Sequence, residues 1–448
     1  MKKRFRDLAA LGLAAVMAAG SLTGCQKEQQ PARTEAPTTQ AAAEAGKQQE
    51  SQGSGETEAA PLSGSLEIVT NGNEATFNAV TAIFQKFMEE NPGVTIDFTT
   101  QGSDYEQLMK ARMASNDLPD MFVTHGWSVA RYSEYLRPLT DQPWYGTIEE
   151  SFLSNIQDDN GDIFVLPLDM DQSGVIYNKR ILEELDAEYP RTWDEFLSLC
   201  GRAKEKGYTG VFVAGKDSRQ LASVVNISAV TYLINCEDKG YGQQLKDGTF
   251  DWNNWEPVSG LLMTLKENGY LNVDAVTCDP IDIPSRMAED NVLFLITSSA
   301  YLISQAEELN GDIRYSLGPI PALNENYESA FCGGEREAYG IWKDTKNEEL
   351  CLALLEYMAR PENVRIVCEA SGKRSAIKDV NPDLGAVGEA FKEYADVAIY
   401  PIFDRVYLPN GMWSTLKTVG SAIIGGEMTV EESIKVMEAD YETLRAQN

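Results

Sequence analysis

From Leu66 onward the chain alternates short apolar runs with stretches of helical apolar period. Leu66–Thr70 has the length and composition of a strand. Glu74–Glu90 carries Phe77, Val80, Phe84, Phe87 and Met88 on one helical face. Asn91-Pro92-Gly93 stops that helix. Val94, Ile96 and Phe98 then alternate with polar residues, Tyr105–Ala114 reads as a helix, and Met121–Thr124 reads as a third strand. Strand–helix–strand–helix–strand in so short a stretch predicts a parallel α/β sheet.

A second pattern begins at the polar turn Asn160-Gly161, which precedes an apolar run ending in Leu166-Pro167-Leu168. Asp169–Ser173 reads as a polar bend, followed by the apolar Val175–Tyr177 and then Asn178-Lys179. Thr192 with Glu195 three residues on is a capping box, opening a helix with Phe196, Leu199, Cys200 and Ala203 on one face. Tyr208–Val213 reads as a strand, and mixed helical patterns run to Tyr270. Val292–Thr297 and Ile313–Ile320 are further apolar runs, and the segments from Leu384 to Ala446 read as helices. There is no internal repeat. A chain of 448 residues exceeds one ordinary core and suits two domains.

The N-terminus has a different character. Lys2, Lys3, Arg4 and Arg6 form a charged head, and Leu8–Leu22 carries no charge. This is a secretory signal rather than a full membrane span. Leu22-Thr23-Gly24-Cys25 resembles the bacterial lipobox, and that resemblance implies that Cys25 becomes the lipidated first residue of the mature chain. Gln26–Pro61 contains no Val, Ile, Leu, Met, Phe, Trp or Tyr, so it cannot bury enough apolar surface to offset chain entropy and is expected to be a disordered tether. The net charge of −31 disfavours nucleic acid and anionic membrane surfaces as partners of the body. The six cysteines other than Cys25 have no C-x-x-C spacing and sit mostly in apolar contexts, which favours buried thiols.

Several kinds of chemistry are excluded. His125 is the one histidine, so a His-rich metal site and H-E-x-x-H are absent, and there is neither a nucleophile elbow nor a P-loop. Ser414–Lys417 matches S-x-x-K without its companion motifs. No catalytic residue, metal or cofactor is expected. The 69 acidic residues always supply a carboxylate pair, so a secreted glycosidase stays open. What is present suits neutral polar recognition. A sugar has a polar rim and apolar C–H faces, so its site needs flat aromatic platforms together with planar donors and acceptors. In open α/β sheets these belong at the carboxyl ends of strands. The platform candidates are Trp127, Trp413 and Tyr301, the last with Ser299 beside it. The hydrogen-bonding candidates are Asn71, Asn73, Glu74, Asp104, Asp171, Gln172, Glu335 and Arg336. Asn73 and Asp104 have an alternative use as helix caps, Asp171 as a holder of the bend, and Trp127 as a packing aromatic. Gly333-Gly334 either lets backbone approach a ligand closely or makes a tight turn.

Specific segments carry a family resemblance. "YNK" followed by "TWDEF" after the Asp169–Ser173 stretch, "EENPGVTIDF", "LPDMFVTHGW", and the Gly-Gly loop that leads to "PENVR" all resemble the extracellular solute-binding proteins. More narrowly, they resemble the sugar-binding lipoproteins of carbohydrate ABC importers. At the position of Tyr301 that family often has Trp. The resemblance implies an α/β, two-lobed periplasmic-binding-protein-like fold with an interlobe cleft and hinge crossovers. It implies a signal peptide at 1–24, a lipidated N-terminus and tether at 25–61, a first lobe from 62–170 and 330–383, and a second lobe from 171–329 and 384–448. It further implies capture of a carbohydrate, an oligosaccharide, for delivery to a membrane permease. The carrier would be a monomer, held at the outer face of the cell membrane by its lipid alone. A non-sugar solute is the alternative ligand.

Overall fold

The computed structural model describes residues 61–447, except residue 154. The signal segment, Cys25 and nearly all of the expected tether lie outside the described residues. The described strands are β1 (Ser63–Thr70), β2 (Gly93–Thr100), β3 (Met121–Val123), β4 (Leu166–Pro167), β5 (Asp169–Asn178) and β6 (Thr209–Val211). They continue as β7 (Val292–Thr297), β8 (Tyr315–Gly318), β9 (Phe331–Glu335), β10 (Ala338–Ile341), β11 (Arg374–Ser375) and β12 (Ile399–Pro401). They form two sheets. One has the order β2-β1-β3-β10-β4; the other runs β12-β9-β5-β7-β6, with β8 and β11 also paired to β5. β1 is parallel to β2 and to β3, as the opening pattern requires, while β10 enters antiparallel.

The Glu74–Glu90 helix follows directly from its sequence. Asn73 caps it, its side-chain oxygen accepting the Thr76 N–H at 3.0 Å, and Val80, Ile83, Phe84 and Phe87 are buried against the first sheet. The Asn91 amide closes the far end by donating to the Phe87 carbonyl, and Pro92 prevents continuation. Alternation in β3 sends Met121 and Val123 into one core and Phe122 into another, with Tyr105, Met109 and Tyr132. The second sheet is covered by Trp193, Phe196, Trp255, Phe403, Leu416 and Met437 from its helices. Fully burying a side chain of this size stabilises by roughly 1.5–3 kcal/mol.

Four expectations need correction. Asp169–Ser173 is not a bend: it is the first half of β5, a ten-residue strand buried along its whole length. Its polar residues looked exposed in sequence, yet β9 and β11 flank them and the rest of the strand is held by β7 and β8. The Thr192 box is half formed. The Thr192 hydroxyl accepts the Glu195 N–H at 3.3 Å, but the Glu195 carboxylate takes the N–H of Arg191 rather than that of Thr192. The complete capping box is at Thr429 and Glu432. The C-terminal stretch contains a strand, β12, parallel to β9. Finally, β9 pairs in the second sheet and only β10 in the first, so the return to the first lobe falls at Arg336 rather than at residue 330.

Candidate functional site

The chain passes from the first sheet to the second between Pro167 and Asp169, back between Glu335 and Ala338, and to the second again between Ile341 and Arg374. The floor of the cleft lies at these crossings. Because β5 alternates, Asp171 and Ser173 share a face with Val175 and Tyr177, while Met170 and Ile176 belong to the opposite core. Asp171 and Ser173 accordingly line a cavity of about 460 Å³ between the lobes. The first lobe contributes His125, Trp127, Glu106 and Arg131 to its wall; the second contributes Asn226, Asp404, Arg405 and Trp413.

Trp127 follows β3, in the loop Thr124–Ser128. The Arg131 guanidinium lies over its ring at 4.1 Å and is itself paired with Glu106. One face of the indole is therefore covered from below. His125 Nε2 lies 2.8 Å from Glu106 Oε1. Burial pulls the imidazole down to about 4, with Glu106 opposing and Arg336 and Arg405 assisting, so His125 is neutral at pH 7. Glu106 is pushed up by burial, but the His125 contact and the nearby cations outweigh this and hold it below the usual carboxylate range. Asp171 is likewise raised by burial and lowered further by Lys373, Arg336 and Arg405; Lys373 Nζ sits 2.9 Å from its Oδ1.

The structure holds a second, more open cavity of about 950 Å³. It is lined by Asn73, Glu74 and Asn78 of the first helix, by Tyr301 and Gln305, and by Ser371, Gly372 and Leu384. Tyr301 is 42% exposed here.

The structure thus brings Trp127, Asp171 and Trp413 to one cavity, and Asn73, Glu74 and Tyr301 to the other. The remaining candidates line neither. Gln172 cannot share the Asp171 face, since neighbouring strand residues point oppositely; its amide is buried with no hydrogen-bond partner. Asn71 Oδ1 is also buried and unpartnered, and Asp104 is exposed at the start of the Tyr105–Ser115 helix. The Ser299 N–H donates to Thr297 Oγ1, and it is Ser298 that reaches the cavity. Glu335 is buried, its Oε1 accepting the Ser128 N–H at 3.1 Å and tying β9 to the Trp127 loop. Arg336 lies at the crossing, beside Asp169. Gly333 has a packing reason: a Cβ there would collide with the Asp171 carbonyl of the paired strand. At Gly334 a Cβ would lie 3.7 Å from Arg405 Nη1, an ordinary contact that does not require glycine.

Arg405, Asn226 and Asp404 escaped sequence reasoning. They sit on helices whose apolar pattern only predicts packing, and nothing local marks them as cleft residues. The nearness of Arg405 to Trp413 in the chain was the one available signal. The six described cysteines are all buried free thiols, with Cys332 at the cavity wall. Among the described residues, no group of three or more His, Cys, Asp or Glu could hold a metal ion, and no helix is long and apolar enough to cross a membrane.

Comparison with known proteins agrees with this geometry. The chain is 30% identical over 382 residues to the melibiose/raffinose/stachyose-binding protein MelE of Bacillus subtilis, covering 85% of this chain and 88% of that one. Its structure superposes on a binding protein from Bacillus subtilis in an open conformation with a TM-score of 0.83 at 28% identity, over 87% of this chain and 99% of that one. A sugar transporter protein from Bacillus licheniformis, solved in complex with stachyose, gives 0.73 at 28% identity, over 85% of this chain and 100% of that one. The sequence profile of the bacterial extracellular solute-binding proteins matches residues 71–365. With two sheets joined at a polar crossing, a cavity between them, and a profile match over most of the folded body, this chain belongs to the bacterial extracellular solute-binding proteins.

Proposed function

We propose that this protein captures a neutral carbohydrate between its lobes and delivers it to the membrane permease of an ABC importer, without itself catalysing a reaction. The observation that carries this reading is the placement of Trp127 and Trp413, one from each lobe, at a single cavity floored by Asp171 and Ser173. Two flat apolar faces with polar groups between them match the C–H faces and hydroxyl rim of a pyranose. Charged lining residues are compatible with a neutral ligand, since Glu106 is paired with Arg131 and Asp171 with Lys373. The ligands named for MelE and for the stachyose complex support an oligosaccharide of the raffinose series.

Titration calorimetry with melibiose, raffinose and stachyose tests this, together with an assay for released reducing sugar. Saturable binding with no hydrolysis is expected. Hydrolysis would turn the reading toward a glycosidase, and failure of all three sugars to bind would turn it toward another solute. The export address belongs to the same proposal: the mature protein is a monomer, attached outside the cell through a lipid on Cys25. Cys25→Ser should leave the protein soluble or unprocessed. Membrane retention and mass unchanged from the parent would rule the anchor out.

A further inference from the structure

Arg405 stands on the short helix Phe403–Tyr407, which is fastened to the second lobe. Phe403 is fully buried in that lobe's core, and the Asp404 N–H donates to Asn226 Oδ1 at 2.9 Å. The guanidinium does not stay with the second lobe. It reaches across the cleft onto Gly126, in the first-lobe loop that carries Trp127, and a Cβ at Gly126 would fall on Arg405 Nη1. Gly126 also has φ +97°, so that position is closed to other residues on two counts. On its other side Nη1 lies 3.7 Å from the Cβ position of Gly334 in β9. The guanidinium therefore passes between two glycines, one from each sheet's territory.

This nitrogen is buried and has no hydrogen-bond partner. Native proteins leave few buried donors unpaired, and a charged one is the least favourable to leave so. Among nearby acids, Asp171 is engaged by Lys373 and Glu335 Oε1 by the Ser128 N–H, while the buried Asp404, next to Arg405 in the chain, feels the Arg405 charge directly. Arg405 also lines the cavity between Trp127 and Trp413, so a ligand held there meets the guanidinium's edge rather than the enclosed Nη1. A guanidinium is a planar fork of donors with no acceptor, so it suits two neighbouring oxygens better than one. Adjacent sugar hydroxyls, or a hydroxyl beside a ring oxygen, present that pair.

We propose that Arg405 is the specificity-determining donor of the cleft: it binds adjacent oxygens of the sugar and, resting on both lobes, ties recognition to their closure. This rests on the carbohydrate reading above, so the test has a sugar arm and a sugar-free arm. In the first, calorimetry on the full chain with raffinose and with stachyose should show affinity at least tenfold weaker for Arg405→Met. Arg405→Lys, which keeps the charge but not the fork, should fall between. Wild-type affinity in either variant overturns the proposal, and Arg405→Lys serves alone if the Met variant does not fold. In the second arm, small-angle scattering without ligand should give a larger radius of gyration for Arg405→Met than for the parent. If no sugar binds the parent, the carbohydrate reading fails by itself, and this arm still decides the interlobe tie: an unchanged radius overturns it.

Discussion

Trp127 owes its orientation to Arg131. The cation lies under the ring, Glu106 holds the cation, and the ring is left with one face for the cavity. Trp127→Ala should therefore weaken sugar binding by roughly 1–3 kcal/mol, as for a truncated aromatic anchor, read by calorimetry. Unchanged affinity would return Trp127 to a packing role. A second residue-scale effect concerns protons. Glu337, at the crossing, is pushed up to about 7 by burial and then by the charge of Asp169; Arg336, a hydrogen bond from Tyr339, and Lys373 act against this. Asp169 Oδ1 accepts the N–H of Glu337 itself at 2.7 Å, which keeps the two acids together. The folded protein thus keeps a proton that the unfolded chain releases from its ordinary value of 4.5 upward. Stability drawn from this residue falls as pH rises from that value to about 7, and is lowest above it. Glu337→Gln should remove the fall. Relative to the parent, the variant should gain up to about 3 kcal/mol between acid and neutral pH in urea unfolding. Parallel pH profiles would show that Glu337 is not the group that holds the proton. Asp171 acts in a different window: its carboxyl is held low, so its contribution is lost only as pH drops below the ordinary Asp range.

Among the elements, β5 does most to place the site. It pairs with four other strands, and its first half bears the acids of the cleft floor. The pairing with β9 is close because Gly333 has no Cβ to meet the Asp171 carbonyl. Gly333→Ala should strain both strands and destabilise by about 1–3 kcal/mol, the range for overpacking a tight interior, measured by chemical denaturation. A stability equal to the parent would mean that the crossing can shift to accept a methyl. The Val430–Arg445 helix is a simpler case. Its cap is reciprocal, with the Thr429 hydroxyl accepting the Glu432 N–H and the Glu432 carboxylate accepting the Thr429 N–H. Thr429→Ala should cost about 1 kcal/mol in the same measurement.

At the scale of the whole molecule, two lobes meet through the strands that cross between the sheets and through an apolar cluster that holds residues of both. The polar-floored cavity between them leaves room for a hinge motion, which is expected. A ligand closes the lobes only by binding the closed form better than the open one. A micromolar sugar supplies about 8 kcal/mol in all. Moving the balance from one per cent closed to ninety-nine requires about 5.5 kcal/mol of preference, which lies within that total. Small-angle scattering on residues 62–448 should show contraction at saturating sugar. No contraction, with binding established by calorimetry, would place the whole site in one lobe. Since β5 is a strand through this region and not a loop, the change in backbone angle is expected at Leu168, at Arg336–Glu337 and just before Arg374 rather than along Asp169–Ser173.

Local pattern determined much of this protein. The first helix, its Asn73 cap and its stop at Asn91-Pro92, and the runs that became β1, β2, β3 and β7 were legible because propensity, periodicity and burial agree there. The family was legible in the segments around those runs. Trp127 and Trp413 stood out as flat side chains suited to a sugar face, but Trp413, expected between apolar runs, stands in the first turn of the Met412–Gly425 helix and packs partly on its core. What the sequence could not convey was the burial of polar residues. Asp169–Ser173 looks like a bend, since five residues with little apolar surface are ordinarily exposed, and only the flanking strands make that stretch a buried strand. Once it is a strand, alternation separates Asp171 from Gln172, and the pair reasoned together from sequence faces apart. Arg405 was hidden for the same reason. An arginine in a helical stretch is ordinarily a solvated face, and its position depends on Gly126, far from it in sequence. Side-chain type and period decide local structure, whereas which polar groups meet across a cleft is decided by pairings between distant segments, which no local pattern records.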